Sequence, residues 1–170
     1  MPLLSDPALA GTWTLEPERS SVRFVSKTLW GLVPVNGRFT DLAGEARITP
    51  GGQVAGRLLI RADSVRTGIG MRDRHLRASD FFDVTDYPKI VVDITAVDDE
   101  LTASLTIRGT TLPVVLQTTA EKQGESLRIT ARGEVDRTRW GVSGNMLGMM
   151  PPRTALLAEA VFVRDTQEKE

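Results

Sequence analysis

One stretch of this 170-residue chain concentrates side chains able to do chemistry. MRDRHLRASDFFDVTDYP (71–88) holds the single histidine, His75, among Arg72, Arg74 and Arg77 and the acids Asp73, Asp80, Asp83 and Asp86. Zinc takes several nitrogen, sulfur or carboxylate ligands, and one imidazole cannot supply them. Asp80, Asp83 and Asp86 stand three apart and offer oxygen to Ca²⁺, but the run lacks the glycine turn and terminal glutamate of a calcium loop. No metal and no cofactor are expected. Cysteine is absent, which removes disulfides, thiolate catalysis and sulfur-ligated metal together. Ser143, in GVSGN, lacks the second spacer of a Gly-x-Ser-x-Gly nucleophile turn. With no paired-carboxylate motif either, the chain is read as non-enzymatic. Arg66, Arg72, Arg74 and Arg77 could hold a phosphate or carboxylate head group, because the guanidinium fork matches such oxyanions. The neighbouring acids favour internal salt bridges instead. His75 is either a structural residue of a short helix or a polar contact for a ligand's head.

The elements that must position these residues are strands. Period-two alternation dominates: in LTASLTIRG, Leu101, Ala103, Leu105 and Ile107 oppose Thr102, Ser104, Thr106 and Arg108. SVRFVSK, KIVVDITAV, SLRITARGEV and ALLAEAVFVRD repeat the pattern, and PGGQ, DDE, RGTTLP and KQGES supply turns. Strands are expected near 12–16, 20–27, 34–49 (one or two), 53–62, 88–97, 101–108, 111–120, 126–137 and 155–164. One short helix is expected at 70–78, where Met71, Arg74, His75 and Ala78 follow a helical spacing. The chain length suits one domain, with residues 1–11 a flexible lead-in, 12–164 an antiparallel β-barrel and 165–170 a polar tail.

Net charge is −1, which gives no electrostatic case for nucleic acid. No apolar run is long enough to be a transmembrane helix. The start, MPLLSDPALAGTW, has no basic region followed by an apolar run, so a cytoplasmic protein is expected, with a periplasmic or secreted one only if the chain has been trimmed. Small residues recur on the inward faces: Ala62, Ala96, Ala103, Ala131, Gly133, Ala158 and Ala160. They either fit the taper of a packed barrel or leave an apolar lumen for one ligand. The long interruption 63–88 is too rich in Phe, Leu, Met and Tyr for disorder. Phe81 and Phe82 are expected to pack inward over one end of the barrel, as a plug or as the lining of a tunnel's closed end.

Five blocks occur in order: LWGLVPVNGRF (29–39), DSVRTG (63–68), RDRHLRASDFFDVTDYP (72–88), LTIRGTTLPV (105–114) and VDRTRWGV (135–142). Together, over about residues 12–164, they resemble the YceI-like family of bacterial proteins. The resemblance implies an all-β, antiparallel, extended lipocalin-like barrel of about eight strands with one short helix in a long loop. It further implies a long-chain isoprenoid or acyl lipid as partner, held for carriage, storage or sensing, and a homodimer. Two positions depart from the family's pattern: Thr28 or Leu29, and Arg108, stand where histidines often occur.

Inward parity and these blocks nominate Phe24, Phe39, Leu58, Ile60, Leu76, Phe81, Phe82, Ile94, Leu105, Trp140 and Phe162 as lumen lining. Trp30, His75, Met146 and Met149 are candidates for the mouth, the methionines because their flexible thioethers suit an adaptable apolar surface. The loop WGVSGNMLGMMPPRT (140–154) that carries those methionines is a lid, a dimer contact or a self-packed connection. The alternative to a ligand-binding barrel is a solidly packed interaction or stress-associated scaffold.

Overall fold

The alternating runs become eleven strands in the computed structural model, which describes residues 2–28, 33–143 and 152–165. They are β1 (Gly11–Leu15), β2 (Ser21–Thr28), β3 (Val33–Phe39), β4 (Leu42–Ile48), β5 (Val54–Arg61), β6 (Val65–Arg66), β7 (Lys89–Val97), β8 (Glu100–Ile107), β9 (Thr110–Gln123), β10 (Ser126–Asp136) and β11 (Arg153–Arg164). All pairings are antiparallel, and the order β1-β4-β5-β7-β8-β9-β10-β11 returns to β1, closing an eight-stranded barrel. Closure removes the exposed edges that an open sheet would present.

β11 is what makes the barrel an extended one. Its twelve residues span about 40 Å at the usual strand rise. One edge of it pairs with two strands in succession: β1 at its C-terminal end, through Leu15↔Phe162, and β2 nearer its start, through Ala155↔Val25 to Glu159↔Ser21. Between β1 and β2 the chain makes a turn at Pro17–Arg19. There the Ser20 hydroxyl donates to the Glu16 carbonyl at 2.7 Å and accepts from the Val161 N–H at 3.0 Å, so the ladder is bridged across the break. β3 and β6 carry the wall onward from β2.

Alternation sets the inward faces, and it is interrupted once in a telling place. Between Ile94 and Ala96 the β7–β8 register shifts by a bulge. The extra residue reverses the side on which later side chains fall. Ala96, expected inward, is therefore exposed, and Val97 lines the interior in its place.

The long connection contains α1 (Gly70–Arg77), within the helix expected at 70–78, but its buried face is a different one. Asp73 and Leu76 are buried, whereas Met71 is 63% exposed and His75 and Ala78 are exposed. Among the described residues the arginines do not form the expected salt bridges either. Arg66 and Arg77 donate to the Asp63 and Val65 carbonyls, and Arg72 donates to the Thr67 hydroxyl and carbonyl. Irregular chain leaves carbonyls without ladder partners, and the guanidinium forks satisfy them here. Asp73 accepts from the Thr67 N–H at 2.8 Å and its hydroxyl at 2.5 Å, tying α1 to the residue that follows β6.

Residues 2–9, read above as part of a flexible lead-in, instead form two short 3-10 turns that bury Leu4 and Leu9. The Trp13 indole N–H donates to the Leu9 carbonyl at 2.9 Å, fastening this segment across the base of the barrel. Of the expected polar tail, only Asp165 is among the described residues.

Candidate functional site

The two inner faces do not fill the barrel. An apolar cavity of about 200 Å³ runs through it, from Leu4, Trp13, Ile48 and Leu127 at the base to Phe81, Trp140 and Val142 at the other end. At roughly 30 Å³ per water-sized group, this is room for on the order of seven methylene-sized groups. A solidly packed interior, the alternative drawn from the sequence, would leave no such space.

Small residues make the space at some of the expected positions, whereas Ala62 and Ala103 are buried without lining it. Ala131 and Ala158 are partners across β10 and β11, and both line the cavity with Ala160. Gly133 has a different role: a β-carbon there would lie 2.7 Å from Leu116 Cδ2, so the glycine admits the leucine. Gly37, partner of Phe24 across β2 and β3, does the same more strictly. A β-carbon at Gly37 would lie 2.1 Å from Phe24 Cζ, so only glycine lets that ring lie against the backbone. Phe24, Phe39 and Phe82 then form a three-ring cluster with centroids 5.6 to 6.4 Å apart. Tilted and edge-on rings are the favoured arrangement for aromatic pairs.

The aromatic pair of the acidic loop thus serves the cavity on both rings. The Phe82 N–H donates to the Leu76 carbonyl at 3.0 Å, folding the loop back on α1. Phe81 is 1% exposed, and both rings line the cavity with Leu76. Leu58, Ile60, Ile94, Leu105, Trp140 and Phe162 complete the set that parity nominated, and all of them line the same space. His75 does not: it is exposed on the solvent side of α1, because the helix turns Leu76 inward. Trp30, Met146 and Met149 lie outside the described residues.

Sequence reasoning missed the polar groups of the lining. Among the described lining residues only Ser26, Thr154 and Arg137 break its apolar character, and all three sit at the end opposite Leu4, where β2 ends, β11 begins and β10 has just ended. The Ser26 and Thr154 hydroxyls are 2.9 Å apart and hydrogen-bonded. Arg137 is 8% exposed; it donates to the Val142 carbonyl at 2.6 Å and lies 5.7 Å from the Phe81 ring centroid. Burial lowers its pKa from the ordinary arginine value, with Asp136 opposing. A guanidinium nonetheless keeps its charge in proteins. The signal was present in the chain: Ser26 follows the inward parity of Val22 and Phe24, and Thr154 that of Leu156 and Ala158.

Among the described residues no group of three or more acidic, histidine or cysteine side chains could hold a metal ion. No described helix is long and apolar enough to cross a membrane.

Comparison with known proteins bears on this cavity at two levels. Residues 13–164 match the family model described as the YceI-like domain. Protein YceI of Shigella flexneri is 41% identical over 71 residues, 39% of this chain and 37% of that protein. Protein YceI of an Escherichia coli strain is 37% identical over the same length. The chain thus matches 37% of the length of these curated relatives. In three dimensions, Burkholderia cenocepacia BcnA superposes with a TM-score of 0.78 at 20% identity, over 86% of this chain and 98% of that one. A polyisoprenoid-binding domain from Saccharophagus degradans superposes with a TM-score of 0.74 at 16% identity, over 90% of this chain and 98% of that one. At such identities the likeness is one of fold.

Proposed function

The chain belongs to the YceI-like family, and on that premise we propose that its barrel binds one long-chain amphiphile, a polyisoprenoid or fatty-acid derivative, without catalysing a reaction. The observation that carries this reading is the cavity, lined along its length by hydrocarbon and, among the described residues, carrying polar side chains at one end only. The tail lies in the lumen and the head at the end of Arg137, Ser26 and Thr154. About seven enclosed methylenes, at ~0.8 kcal/mol each, give on the order of 6 kcal/mol gross. Immobilising protein and chain offsets much of this, so length and fit decide affinity more than the head does. The Saccharophagus degradans neighbour, described as polyisoprenoid-binding, supports the same class of ligand. Carriage, storage and sensing all use such a site, and a homodimer is part of the proposal.

Native mass spectrometry of the protein loaded with a C15 isoprenoid alcohol or a C16 fatty acid tests it. Retention of one molecule per chain is expected. Ala131→Phe, which fills the middle of the lumen, should abolish that retention while the protein stays folded by circular dichroism. No retention of either probe by the wild type, or equal retention by the filled variant, sinks the reading.

A further inference from the structure

The outer wall carries a feature that owes nothing to the lumen. Neighbours along a strand face opposite sides of the sheet, so with Phe24 and Phe39 inward, Arg23 and Arg38 face out. The register sets Arg23 opposite Arg38 across β2 and β3, and Arg38 opposite Arg66 across β3 and β6. Three arginines therefore stand in one row on three adjacent strands, roughly 5 Å apart from strand to strand. Like charges directly opposite each other destabilise a sheet.

The groove they line does little to neutralise them. Among the described residues its only carboxylate is Asp73, which is engaged by Thr67 and whose charge is shared with Arg77 as well as Arg66. Arg23 reaches Glu159 at 3.8 Å, but that acid is bound more closely by Arg128, at 2.5 Å. Arg66 donates to the Asp63 and Val65 carbonyls, which carry no net charge. Arg38, in the middle, makes no hydrogen bond or ion pair among the described residues. A row of guanidinium forks is suited to a ligand with several charged oxygens, which each fork can bind through two N–H donors.

We propose that this groove is a binding site for a phosphate-class oxyanion, centred on Arg38 and flanked by Arg23 and Arg66. The phosphate is either free in solution or borne on a lipid headgroup, and the site stands whether or not the lumen holds a lipid.

The test follows the arginine Nε–Hε resonances of ¹⁵N-labelled protein during titration with inorganic phosphate, at ionic strength held constant with chloride. Saturable shifts are expected at Arg38, with Arg38→Gln weakening binding roughly tenfold as a charge-assisted pair is lost. Arg47→Gln, an equal charge loss at an exposed position of β4, should leave binding unchanged. A second arm sediments the protein with phosphatidylglycerol vesicles and with phosphatidylcholine vesicles. Response to free phosphate that depends on Arg38 supports the site with a soluble ligand. Capture on phosphatidylglycerol alone that depends on Arg38, without a phosphate response, supports it with a headgroup ligand. Shifts no larger than chloride produces together with no selective capture, or responses that survive Arg38→Gln, overturn it.

Discussion

Each end of the cavity is closed by a tryptophan, and the two are built alike. Trp13 at the base and Trp140 at the far end are both nearly inaccessible. Each donates its indole N–H to a backbone carbonyl, Trp13 to Leu9 at 2.9 Å and Trp140 to Leu105 at 2.8 Å. Each also lies beneath an arginine, Arg164 at 4.6 Å and Arg139 at 6.0 Å from the ring centroid. The difference is in what faces the lumen beside them. Around Trp13 the lining is Leu4, Ile48, Leu127 and Phe162, whereas around Trp140 it includes Arg137 and, on the adjoining strands β11 and β2, Thr154 and Ser26. Closing a barrel explains both tryptophans. It does not explain a buried cation found, among the described lining residues, at one end only, because removing a charge from water carries a penalty of several kcal/mol that packing alone does not require. Structural need is symmetric here and chemical character is not, so the asymmetry is where function is to be sought.

The largest expected effect tests the symmetric half of that statement. Trp13→Ala and Trp140→Ala should each lower stability by about 3–5 kcal/mol, the range for truncating a buried tryptophan. Chemical denaturation, followed by circular dichroism, reads both. A loss below about 1 kcal/mol at one position only would mean that one end is closed by something else, and the comparison would fail.

The asymmetric half is tested at Arg137. Arg137→Met keeps an unbranched apolar side chain and removes the charge. An amphiphile with an acidic head should then bind roughly tenfold more weakly, about 1.4 kcal/mol. A hydrocarbon of the same length, displaced in the same fluorescence competition assay, should bind as before. Equal weakening of both ligands would assign Arg137 to structure, through its bond to the Val142 carbonyl and its place over Phe81.

Which parts of this molecule could be read from the chain follows from how far each signal travels. Strand parity is local, so the alternation of β8 and β10 and the turns between them could be placed directly. The inward Phe81 and Phe82 could be inferred because two adjacent rings in an acidic loop have no other shelter. A bulge inserts a single residue and leaves composition untouched, which is why Ala96 was placed on the wrong face. The turns over residues 2–9 have no period to detect, and their burial depends on Trp13 and on the Thr49–Gly52 turn arriving beside them. His75 and Leu76 are neighbours on α1, and only docking against the barrel decides which of them is buried. The polar end of the cavity is the clearest case of a long-range property. Ser26 and Thr154 are 128 positions apart and meet only because the start of β11 lies beside the end of β2.

The smallest effect concerns the loop that covers the cavity with Leu76 and Phe81. Burial alone would raise the Asp73 pKa; the hydroxyl and N–H of Thr67, together with the charges of Arg77 and Arg66, hold it below the ordinary carboxylate value. A carboxyl depressed in the folded state contributes stability above its unfolded pKa of about 3.9, and that contribution is lost as pH falls through the lower folded value. Asp73→Asn should therefore cost about 1 kcal/mol near pH 7, where hydrogen bonds to the charged group are weakened. Below about pH 4 the difference from wild type should shrink as the wild-type carboxyl takes up its proton. Stability measured by urea unfolding at a series of pH values reads this directly. Because Asp73 ties α1 to Thr67 just after β6, hydrogen exchange at the Phe82 N–H should rise in the same variant, while exchange at Trp13, at the opposite end, should not. If both ends loosened together, the loop would belong to the barrel's global stability, and the two ends would not differ in the way their linings do.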